Sequence, residues 1–117
     1  MEWVSVDVLS LTYLQLSVDA TDTGRSATFV GELDLSSAAQ VDAALAALPD
    51  DVRVVFDLGA LAFMDAAGLR GLLPTVQARQ AAGAPVVLTH ASRLVRRVLE
   101  ITECDALFVD GSAVGAP

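Results

Sequence analysis

The chain has 117 residues, enough for one compact domain and too few for two, and 54% of them are hydrophobic, so it can bury a core. Its formal net charge is -8 and every basic residue is arginine. A surface this acidic repels phosphate backbones and anionic lipid, which argues against nucleic-acid and membrane-surface partners. The single Cys104 excludes an intrachain disulfide, and with the lone His90 it leaves too few ligands for a zinc centre. Met1-Glu2-Trp3 lacks the basic flank and apolar stretch of a secretory leader. No apolar run approaches the ~20 residues that span a bilayer. The expectation is a cytoplasmic protein without direct membrane insertion, forming one domain over 1–117. Its core spans about 11–109, with an arm or edge strand over 1–10 and a frayed tail over 110–117.

From Leu11 to Val18 the chain alternates. Leu14, Leu16 and Val18 point one way and Tyr13, Gln15 and Ser17 the other, which predicts a half-buried strand. Asp19 to Gly24 is turn chemistry, and Ser26 to Leu33 then reads as the second strand of an antiparallel hairpin. Asp34 ends that strand. Ser36 or Ser37 is expected to cap a helix from Ala38 to Leu48 with an apolar stripe of Val41, Ala44, Leu45 and Leu48, stopped by Pro49.

The next unit organises the rest. Val54 to Leu58 is an apolar, β-branched strand; Gly59 marks a short turn; Leu61 to Met64 is an apolar approach; and Asp65 stands where a helix N-cap belongs. The following helix carries Leu69, Leu72, Leu73 and Val76 on one face. Pro74 inside it predicts a kink or a restart, and Gly83 its stop. Pro85 to Thr89 is a short buried strand. Ser92 caps a last helix with Leu94, Val95, Val98 and Leu99 inward, and Leu107 to Val109 closes as an edge strand. Strand–helix–strand pieces of this length imply right-handed crossovers and parallel neighbours. The predicted fold is α/β: a mixed sheet with an N-terminal antiparallel hairpin, parallel strand–helix–strand units and helices packed against it.

Four segments, in order and spacing, resemble the STAS domain family, and within it the bacterial anti-sigma factor antagonists. They are Gly31-Glu32-Leu33-Asp34, Phe56-Asp57-Leu58, Phe63-Met64-Asp65-Ala66-Ala67-Gly68-Leu69, and Ser92 to Thr102. The resemblance implies a cytoplasmic binding module, not an enzyme, without cofactor or metal, acting as a monomer or weak homodimer. Its partner would be an anti-sigma factor that is also a serine kinase, from which it displaces the sigma factor. The family's kinase phosphorylates a Ser or Thr at the start of the second helix, and that phosphate breaks the docking. Here the matching position is Ala66, followed by Ala67, and neither carries a hydroxyl. Three accounts stand side by side: an antagonist that is never switched, a non-phosphorylated partner in a larger assembly, or alanines introduced to hold the binding-competent form. The resemblance extends equally to a second role, the STAS subunit of a lipid-transport ABC system or a scaffold module bound to an ATPase.

The docking edge expected from the resemblance comprises Asp34, Ser36, Ser37, Asp65, Ala66, Ala67, Gly68 and Leu69. Each has a plainer role beside it: Asp65 and the serines as caps, Gly68 as close packing of helix on sheet, Leu69 as core. Loops at the C-terminal ends of parallel strands line one edge, which sets Ser36 and Ser37 beside residues 65–68. Arg93, Arg96 and Arg97 form a solvated face pairing with Glu100, or a site for an acidic partner. Cys104 is read as a small buried residue and His90 as a surface loop residue without a carboxylate partner. Asp57 orders the turn after it; a receiver-type phosphoaspartate would need a Lys, and the chain has none. No Ser/His/Asp set, Walker-type loop or paired carboxylates point to catalysis.

Overall fold

The computed structural model describes residues 7–111. The elements in chain order are β1 (Asp7–Ser10), β2 (Leu14–Thr21), β3 (Gly24–Leu33), α1 (Leu35–Ala46), β4 (Arg53–Met64), α2 (Ala66–Ala81), β5 (Val86–Thr89), α3 (Arg93–Ile101), a 3-10 turn (Asp105–Leu107) and β6 (Phe108–Asp110). The six strands form one sheet in the order β1-β2-β3-β4-β5-β6. Pairs β1/β2 and β2/β3 are antiparallel, and β3 through β6 run parallel. Parallel neighbours in sequence order, joined by crossovers that follow the right-handed rule, place α1, α2 and α3 on one face. Their buried side chains, Val41, Leu45, Leu69, Leu72, Val76, Val95 and Leu99, join the strand residues in a single apolar cluster. Phe29 and Phe56 meet edge to face in it, ring centroids 5.1 Å apart.

The predicted mixed sheet and its hairpin are present. The expected turn at Gly59 is not: β4 is one strand from Arg53 to Met64. Its ladder with β3 slips twice, between Thr28↔Asp57 and Val30↔Ala60 and again between Gly31↔Leu61 and Glu32↔Phe63. Each slip is a bulge that sets two residues of β4 against one of β3. The core-facing residues are therefore Val54, Phe56, Leu58, Leu61 and Met64, spaced by two, two, three and three. A period of two could not have reached Leu61 and Met64 without leaving the strand, which is why the sequence pattern reads as a break.

Two further expectations change. α2 passes through Pro74 as one continuous helix and does not restart there. Beyond the proline, the Thr75 N–H donates to Asp42 Oδ1 on α1 (3.2 Å), and the Thr75 hydroxyl to the Asp42 carbonyl (3.3 Å). On α3, Val95 and Leu99 are buried and Val98 half-buried, but Leu94 is exposed. At the tail, Gly111 is buried and its N–H donates to the Leu88 carbonyl (2.7 Å), while 112–117 and the Trp3-to-Val6 part of the N-terminal arm lie outside the described residues.

α1 and α2 cross closely because Gly71 carries no side chain. A Cβ built there would overlap the Ala38 methyl, which cannot rotate away. Near its other end, the buried Arg79 guanidinium donates to the carbonyls of Pro49 (2.7 Å) and Val52 (3.0 Å), fastening α2 to the loop after α1. Gly71→Val is expected to force the helices apart and lower stability by about 2–3 kcal/mol, as overpacked cores do; urea unfolding monitored by circular dichroism measures it.

Candidate functional site

The β3–α1 and β4–α2 junctions lie side by side at the C-terminal edge of the parallel strands. The Asp65 N–H donates to the Leu33 carbonyl (3.4 Å). Gly68 rests directly on that carbonyl, and a Cβ on it would come within 2.9 Å of Asp34 Cα. Two helix N-termini are thereby brought against each other, and each ends in an aspartate.

At α2, Asp65 Oδ1 accepts from the Gly68 N–H at 2.7 Å, the N-cap expected from sequence. At α1 the cap is Asp34, not Ser36 or Ser37. Asp34 Oδ1 accepts from the Ser36 N–H (2.9 Å) and the Ser36 hydroxyl (2.6 Å), while the Ser37 hydroxyl accepts from the Asp34 N–H (3.4 Å) and closes a capping box. A cap acceptor must sit one residue before the first helical residue, and that residue is Leu35. Each carboxylate also meets the positive end of a helix dipole, so the two tips are electrostatically balanced.

The eight candidate residues come together, but not all face outward. Asp34, Asp65, Ala66 and Ala67 are half-buried and Ser36 is exposed. Ser37 is buried, its hydroxyl held by the capping box. Gly68 is buried under α1, and Leu69, 1% exposed, belongs to the core. Ser37, Gly68 and Leu69 therefore shape the edge and offer no side chain to a partner. Two apolar side chains at the same edge that the sequence did not single out are exposed, Leu35 at the first position of α1 and Phe63 two residues before Asp65.

Elsewhere, His90 does have a carboxylate partner. Its backbone is left-handed (φ 59°), which brings Nδ1 to 3.3 Å from Asp57 Oδ1, and that oxygen also accepts from the Gly59 N–H (3.0 Å). Arg96 pairs with Asp110 on β6 (3.3 Å) rather than with Glu100. Cys104 is buried. Among the described residues no helix is long and apolar enough to cross a membrane, and no three His, Cys, Asp or Glu side chains cluster in a way that could hold a metal ion.

The chain thus presents, on a one-faced α/β sheet, a pair of capped helix tips with neutral residues just behind the second cap. The family model described as Mlab, STAS domain, matches residues 16–110, and the chain belongs to the STAS domain family. It is 38% identical over 98 residues to the Bordetella bronchiseptica protein named "Putative anti-sigma factor antagonist BtrV", covering 81% of this chain and 84% of that one. Among solved structures, an anti-sigma factor antagonist from Mycobacterium paratuberculosis superposes with a TM-score of 0.71 at 23% identity, over 88% of this chain and 91% of its own. The Bacillus anti-sigma factor antagonist SpoIIAA in its unphosphorylated form gives 0.62 at 18% identity, over 94% and 93%. At those identities the structures establish the shared fold.

The cap assignment is open to direct measurement. Asp34→Ala and Asp65→Ala are each expected to cost about 1 kcal/mol, the usual worth of an N-cap, while Ser36→Ala stays within about 0.5 kcal/mol; chemical denaturation separates them.

Proposed function

We propose that the chain is an anti-sigma factor antagonist: it sets the paired-cap edge against an anti-sigma factor of the serine-kinase type, and the sigma factor held there is released. The 38% identity to BtrV over most of both chains carries the reading. The edge supports it, since its carboxylates are engaged in capping, its alanines are short and neutral, and the exposed Leu35 and Phe63 beside them offer apolar area to another protein. The Ser36 hydroxyl and Asp34 carboxylate that meet at the edge are engaged in the α1 cap, and the reading is binding without turnover.

In this reading the usual phosphoacceptor is absent. Phosphate would add about -1.5 to -2 charges. Placed at position 66, it would stand next to the Asp65 carboxylate and be repelled by it. Ala66 and Ala67 carry no group that could receive it, so the chain stays in the docking state. A STAS subunit bound to the ATPase of a lipid-transport ABC system uses the same fold. Co-purification with such an ATPase, together with no affinity for any anti-sigma factor, would favour that role.

Calorimetric titration against the anti-sigma factors of the same organism is expected to find a one-to-one complex with at least one; binding to none would remove the reading. Ala66→Asp is expected to weaken that complex by about tenfold or more, roughly 1.4 kcal/mol, through like-charge crowding at the tip. Ala66→Ser should bind as the parent does and, with the bound kinase and ATP, gain a phosphate by mass spectrometry. A phosphate on the parent chain would contradict the unswitched state.

A further inference from the structure

We infer that the docking surface turns the corner from the paired caps onto the helix-free face of the sheet, where Tyr13, Val30 and Phe63 anchor the same protein partner. The inference rests on the docking reading above and adds the side chains that would hold the partner and the kind of surface they fit. With all three helices on one face, the other face of the sheet is bare among the described residues. Three of its exposed large apolar side chains lie at the end nearest the caps, and Val8 on β1 lies farther from them. Tyr13 is 64% exposed, Val30 44% and Phe63 40%.

The register makes them neighbours. The Glu32 N–H donates to the Tyr13 carbonyl (2.7 Å), and Glu32 is the ladder partner of Phe63, so Tyr13, in the bend just before β2, lies in one row with Glu32 on β3 and Phe63 on β4. Val30 lies in the next row, between Gln15 and Ala60. Phe63 points this way because of the second bulge in β4; in an unbulged strand, alternation from the core-facing Leu61 would turn Phe63 to the core side. Two residues beyond Phe63 is Asp65, and two beyond Glu32 is Asp34. The aromatic row and the caps are therefore one continuous surface.

Its chemistry selects the occupant. Exposed aromatic side chains beside small neutral ones are the composition of an interface centre, and the charges around them, Glu32, Asp34 and Asp65, are all acidic. The matching surface is a folded protein with an apolar recess for Phe63 and Tyr13, rimmed by Arg or Lys. A second copy fits poorly, because it would bring the same three carboxylates toward each other on a chain of net charge -8.

The test uses the full chain and the anti-sigma factor found by the titration above. Phe63→Ala and Tyr13→Ala are each expected to weaken binding about tenfold or more, and Glu32→Lys to slow association at low salt. Leu94→Ala, which removes an exposed apolar side chain from the outer side of α3, should leave affinity unchanged. Thermal melts confirm that each variant folds, and Tyr13, the more exposed residue, guards against a folding defect at Phe63. Parental affinity in both aromatic variants would overturn the inference while leaving the docking edge intact. Absence of any complex with the parent chain would remove both together. A parent chain that sediments as a dimer and becomes monomeric on Phe63→Ala would assign the face to a second copy and overturn the inference as well.

Discussion

The contact on which the edge depends is backbone against backbone: Gly68, in the first turn of α2, rests on the Leu33 carbonyl and against Asp34. No other residue type permits it. The contact sets the start of α2 beside the start of α1, and Gly71 one turn later carries the same closeness along both helices by meeting Ala38. Because the helices begin together, their caps stand together, and the unsatisfied N–H groups of two helices are met by two carboxylates in one place. Close packing and the charge balance of the edge thus have one origin.

β4 connects that edge to the sheet. Its two bulges let a strand of 12 residues keep Val54, Phe56, Leu58, Leu61 and Met64 in the core although their spacing changes midway. The same irregularity delivers Asp65 to the cap position and turns Phe63 toward the uncovered face. Bulges recur where a strand must re-aim its side chains near a functional region, and here the re-aimed residues are the last three before the helix tip. A straight strand could build the core or the edge, but not both at this length.

A tip without a hydroxyl leaves the architecture alone. Ala66 and Ala67 favour the helix at least as well as serine would, and Asp65 caps it without help from either. On the docking reading, the loss removes a negative charge that could be added and taken away, while every element that positions the edge is retained.

Hydrophobic alternation over 14–18, the β-branched run from Val54, the Asp65 cap and the αL stop at Gly83 are local signals, and each was legible from a few residues. Their order implied a mixed sheet with helices packed against it, because crossover handedness leaves little choice. What the chain alone could not decide depended on partners distant in sequence. The bulges are set by the ladder with β3, the N-cap of α1 by where the helix leaves the sheet, and the Asp57–His90 and Arg96–Asp110 pairs by strands brought together in the fold. The burial of Leu69 and the exposure of Phe63 belong with these. Both are apolar residues within one short stretch, and only the packing of α2 onto the sheet determines which is core and which is surface.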